Sequence, residues 1–111
     1  MNKLNSEQIK ELCRIQHKMF ISEYLISKMP IAYTNMDLGY FERDMRIRST
    51  YEKCKDQMVE LIEKYGNEVI ENTFGDTEYM QNNRFTLEEQ RQATKEVIGK
   101  ELTLEEVFER Y

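Results

Sequence analysis

Six residues in the middle of the chain, Ile47, Tyr51, Cys54, Met58, Leu61 and Tyr65, are separated by alternating steps of four and three. Only a helix returns side chains to one stripe at that spacing, because a strand repeats every second residue. The result is an a/d seam sustained over almost three heptads, and such a seam must be covered by another helix. It is too short and too rich in tyrosine to hold an isolated coiled coil. An intramolecular helical hairpin satisfies it, with the preceding segment as the antiparallel partner. Gly66 then stands where a left-handed C-cap belongs.

The preceding segment has the features of that partner. Asn5 and Gln8 have the spacing of a capping box, and Leu4 and Ile9 that of a hydrophobic staple. One apolar row runs Leu12, Ile15, Met19, Ile26, Met29, with Ser22 interrupting it. A second runs Ile9, Cys13, Phe20, Tyr24, with Gln16 interrupting. Two adjacent rows make a stripe wider than a coiled-coil seam, so this helix should touch two neighbours. Met29 precedes Pro30, which pushes it out of helical geometry and ends a helix over residues 6–29. Thr34, with Asp37 three positions on, opens the second long helix at about residue 35.

Beyond Gly66, residues 67–74 read as a short helix closed by Gly75. Residues 76–85 carry no helical period. A small hairpin about Asn82 and Asn83 is one reading of them, but two strands alone are marginal, and a loop is expected. Phe85-Thr-Leu-Glu-Glu then recurs as Leu102-Thr-Leu-Glu-Glu. Each copy is a Thr-x-x-Glu capping box, and the second adds a staple from Leu102 to Val107. Helices over 87–98, stopped by Gly99, and over 104–111 follow. The fold expected is all-α: a long antiparallel helical hairpin with three short helices packed across it, as a single helical domain over residues 1–111.

Composition permits a core. Leu, Ile, Val and Phe number 26 in 111 residues, and the net charge is only −5; disordered chains have fewer of the former and more of the latter. The most apolar stretch, residues 19–29, still holds Ser22, Glu23, Ser27 and Lys28, so no membrane span is expected. Residues 1–7 lack the apolar core of a secretion signal. Two cysteines make no disulfide framework, which points to a cytoplasmic protein with reduced thiols. Scarce Gly, Pro and Ala hint at an AT-rich genome, and the small size fits a bacterial, phage or mobile-element gene.

Chemistry is harder to find. Cys13 and His17 share a helical face, and antiparallel pairing brings Cys54 opposite residues 13–15, but no Cys-x-x-Cys pair accompanies them. No metal site and no cofactor are expected. Phosphate loops, nucleophile elbows and His-Glu-x-x-His motifs are missing, and one histidine leaves little for general-base work. An enzyme is not expected. Arg43, Arg46 and Arg48, interleaved with Tyr40, Phe41 and Tyr51, suggest nucleic-acid binding as the alternative function. Acid-first pairs such as Glu42 with Arg46 and Asp44 with Arg48 instead favour a structural role. Residues 60–111 carry 13 acidic and 6 basic residues, a net −7, which suits a basic partner surface less well than solvated helix starts.

The segment between the long helices is the most unusual. Met29, Ile31, Tyr33, Met36, Leu38, Tyr40, Phe41 and Met45 crowd a connection that is normally polar. Methionine and tyrosine favour adaptable protein-binding surfaces. The sequence therefore points to a small protein-interaction module, a regulator, inhibitor or adaptor. Its partner-binding residues are expected to be Tyr33, Met36, Leu38, Tyr40 and Phe41, with a homodimer through leftover surface on the first helix as a further expectation.

Overall fold

The computed structural model describes residues 2–28 and 38–111, with side chains from residue 43 onward in the second stretch. Every element among them is helical: α1 (Ser6–Ser27), α2 (Leu38–Tyr65), α3 (Asn67–Phe74), α4 (Thr77–Asn82), α5 (Leu87–Ile98) and α6 (Leu104–Arg110). The fold is all-α, as the periodicity predicts. Helices α1 and α2 form the long antiparallel pair. At one end Ile21 and Leu25 join Ile47 in the core; at the other, Leu4, Ile9 and Leu12 pack with Met58, Leu61 and Tyr65. The molecule measures 53 × 27 × 17 Å, its long axis set by the 28-residue α2.

The caps are where the sequence puts them. Asn5 Oδ1 accepts from the Gln8 backbone N–H at 2.9 Å, and Gln8 Oε1 accepts from the Asn5 N–H at 2.9 Å. Thr86 with Glu89 and Thr103 with Glu106 repeat the arrangement at the starts of α5 and α6. Each box satisfies two of the backbone donors that a helix start leaves orphaned. All four staple residues, Leu4, Ile9, Leu102 and Val107, are buried. Gly99 ends α5 in the left-handed region at φ +77°. Gly66 differs from the expected cap: its φ is +86° but its ψ is 145°, and the one residue both ends α2 and precedes α3.

Two expectations are corrected. Residues 76–85 are not simply a loop, because Asp76 Oδ1 accepts from the Tyr79 N–H at 3.1 Å and starts α4. Four short helices, rather than three, therefore accompany the hairpin among the described residues. The apolar stripe of α1 holds in its first half, where Ile9, Leu12 and Ile15 are buried, and is displaced in its second. Phe20 is largely exposed, while Ile21 and Leu25, absent from both predicted rows, sit in the core with Val97, Leu102 and Val107. The cause is the second neighbour. Helix α5 and the α6 staple cover the flank carrying Ile21 and Leu25, which turns Phe20 outward. Helix α1 ends at Ser27, with Lys28 as its C-cap; Met29, Pro30, Thr34 and Asp37 lie outside the described residues.

Side chains from α3 and α4 anchor the N-terminus. The Leu4 N–H donates to buried Thr73 Oγ1 at 2.8 Å, and the Leu4 carbonyl accepts from the Tyr79 hydroxyl. Lys3 forms an ion pair with Asp76. Both backbone polar groups of a fully buried residue are thus satisfied, as burial demands. No helix among the described residues is long and apolar enough to cross a membrane.

Candidate interaction surface

Among the described residues the fold leaves Met45, Val59 and Ile62 on α2, Phe74 on α3 and Leu87 on α5 exposed, and on the outer side of α1 two further exposed apolar residues meet ring to ring. Val107 is stapled inward on α6, so Phe108, one residue and about 100° further round, faces out. Its ring lies 6.1 Å from that of Phe20 and 4.7 Å from that of Tyr24, both edge-on at 65°. Phe20 is 49% exposed and Phe108 43%. Isolated apolar residues on a surface are ordinary, whereas contiguous ones mark contact sites.

One turn back along α1, the ridge opens into a cavity of about 270 Å³ lined by Cys13, Gln16, His17, Phe20, Phe85 and Leu104. The Phe85 ring stands edge-on to His17 at 5.9 Å and also lines a second groove of about 470 Å³ between α1 and the start of α5. The two depressions share Phe85 but open on different faces of α1: Glu7, Lys10, Glu11 and Arg14 line the larger, and Cys13, Gln16, His17 and Phe20 the smaller. Leu87, 60% exposed, follows close by in sequence.

The polar groups of the smaller cavity are held by the fold. His17 Nε2 lies 3.1 Å from Thr94 Oγ1, whose single proton is donated to the Gln90 carbonyl at 2.9 Å. His17 Nε2 must therefore be the donor, which assigns the proton of the neutral ring to that nitrogen. Burial lowers the His17 pKa, so the neutral form prevails at physiological pH. Burial, reinforced by Glu89, raises the Cys13 thiol, and burial raises Cys54 as well. Both thiols stay protonated and poorly nucleophilic near neutrality.

The sequence-predicted residues are placed as follows. Tyr33 and Met36 lie outside the described residues. Leu38, Tyr40 and Phe41 belong to the first turn of α2, and their side chains are likewise outside the described set. Met45, from the same apolar segment, is exposed. Of the three arginines, Arg43 stacks over the Tyr111 ring at 5.3 Å and Arg48 pairs with buried Asp44 at 2.7 Å, while Arg46 is exposed. Two of the three guanidinium groups are thus engaged within the chain. Cys13 and His17 line the same cavity, as their spacing implies, and Cys54 is buried in the α1–α2 seam outside that lining. Among the described residues no three His, Cys, Asp or Glu side chains gather closely enough to hold a metal ion.

Sequence reasoning missed Phe20, Phe85 and Phe108 as surface residues. A signal for Phe108 exists, since the Leu102 and Val107 staple fixes which side of α6 faces inward. None exists for Phe20, whose exposure depends on where α5 and α6 dock. No protein-family model, no curated protein and no solved structure matches this chain.

Proposed function

We propose that the chain is a small intracellular protein-interaction module that acts by binding a protein partner through the aromatic ridge on the outer side of α1 and the small cavity beside it. The observation that carries this is the ring-to-ring continuity of Phe20, Phe108 and Tyr24 at an exposed position. Phe108 docks α6 on α1 through Tyr24, yet about half of each phenylalanine stays in water, and covering that remainder on binding contributes about 1 kcal/mol per ring. The apolar residues Tyr33 and Met36, with Leu38, Tyr40 and Phe41 at the start of α2, are the second contact region of this reading.

Capture from the native host by the full chain, read by mass spectrometry, tests the proposal when run beside Phe20→Ser/Phe108→Ser and Tyr33→Ala/Tyr40→Ala. A partner that the phenylalanine variant loses, at an unchanged melting temperature, supports the ridge. A partner retained by that variant but lost by the tyrosine variant moves the site to the inter-helix segment. If no protein is enriched over a scrambled control, the interaction reading fails.

A further inference from the structure

Helix α2 carries a second row at heptad spacing. Met45, Arg48, Glu52, Lys55, Val59 and Ile62 follow one another by alternating steps of three and four. This row lies about 100° round the helix from the seam that α1 covers. Helix α1 runs along one side of α2 and α3 meets its end, yet all six residues of the row are exposed. The row is apolar at both ends and charged in the middle. Arg48 Nε donates to Asp44 Oδ1 at 2.7 Å, so its charge is matched within the chain and its stem is left to pack. Glu52 and Lys55 form no ion pair among the described residues.

Reversed end to end, this row complements itself, because its spacing is symmetric about the Lys53–Cys54 peptide bond. An antiparallel copy of α2 centred there sets Met45 against Ile62 of the second copy, Arg48 against Val59 and Glu52 against Lys55. Each contact then occurs twice, as a two-fold axis requires. Half-buried Tyr51, between the row and the seam, comes opposite Met58 of the second copy, and Asp56 on the other flank comes nearest to Ser49. A parallel copy would instead oppose Glu52 to Glu52 and Lys55 to Lys55, which repel. The matched row runs for about 25 Å along α2. We infer that the α2 face from Met45 to Ile62 pairs with the same face of a second copy of this chain, antiparallel about residues 53 and 54. The row shares no residue with the ridge of Phe20, Tyr24 and Phe108, so this dimer and the protein-binding reading above stand or fall separately.

The test is sedimentation of the full chain from about 1 to 200 µM, where monomer should pass to dimer and the urea midpoint should rise with concentration. Lys55→Glu alone, or Glu52→Lys alone, opposes like charges across the axis and should weaken dimerisation at least about tenfold. The exchange Glu52→Lys/Lys55→Glu restores both pairs and should recover the dimer. Mixing the two single variants should give a heterodimer at least about tenfold tighter than either variant alone. Val59→Ser/Ile62→Ser should also weaken the dimer about tenfold. All these positions are exposed on α2, so helical content by circular dichroism should hold in every variant. A chain that stays monomeric at the highest concentration overturns the inference. So does a dimer indifferent to the single charge reversals. A dimer that Phe20→Ser/Phe108→Ser dissolves while Lys55→Glu leaves it intact also overturns it, because the second copy then sits on the ridge.

Discussion

Replacing Thr73 with valine isolates one hydrogen bond between the N-terminus and α3. Valine keeps the shape and branching of threonine, so the site stays filled. The Val69 carbonyl loses the side-chain bond from Thr73 but keeps the ordinary helical bond from the Thr73 N–H. What remains is the Leu4 N–H, now buried without the Oγ1 acceptor that lies 2.8 Å away in the native chain. Leaving a buried donor unsatisfied costs about 1–3 kcal/mol, and the valine methyl offsets only a fraction of that. The expected loss is about 2 kcal/mol. In urea, with a slope of about 1–2 kcal/mol per molar for a chain of this size, the midpoint should fall by about 1–2 M at constant slope. Thr73→Ser restores the hydroxyl and should recover much of the loss. A valine variant within about 0.5 kcal/mol of the parent would refute the reasoning, because Leu4 would then not depend on that acceptor.

Other consequences can be measured on the same instruments. Ser22 is fully buried on α1, and its Oγ finds no hydrogen-bond partner among the described residues; Ser22→Ala should therefore stabilise by about 1 kcal/mol, read as a higher urea midpoint. His17 has a folded pKa below its unfolded value of about 6.5, so protons favour the unfolded chain. Stability should be full above that pH and decline as pH falls through the folded value, and His17→Gln should flatten the decline in melting scans from pH 8 to 5 (a window set by the same unfolded value of about 6.5). Asp76 is held low by the hydrogen bond from Lys3, and Glu106 by the backbone hydrogen bond at Thr103. Their stabilisation is present above the usual carboxylate range and is lost only as pH falls through their folded values, which separates it from the His17 step. Gly99→Ala places a Cβ at φ +77° and should destabilise by about 1 kcal/mol, visible as a lower melting temperature.

The local signals carried most of the architecture. Three capping boxes and two staples were legible because each is a contact between residues three to five apart, decided by side-chain chemistry alone. The 47–65 seam identified α2 for the same reason. Helix α4 is hidden because six residues are too few to show a period, and its one local mark is Asp76 before Thr77. The face of α1 was misread for a different cause. Ile21 and Leu25 compete with Phe20 and Tyr24 for burial, and the docking of α5 and α6, distant in sequence, decides between them. The same distance concealed Thr73 beneath Leu4 and Thr94 beneath His17. The candidate site inherits that blindness, since its ridge joins Phe20 to Phe108.

Hydroxyl-radical footprinting of the full chain, alone and in complex with its captured partner, tests the proposed surface most directly. Phe20, Phe85 and Phe108 should lose reactivity in the complex, while exposed Val59 and Ile62 on α2 should react as before. Protection confined to Tyr33, Tyr40 and Phe41, with Phe20 and Phe108 still fully reactive, would contradict it.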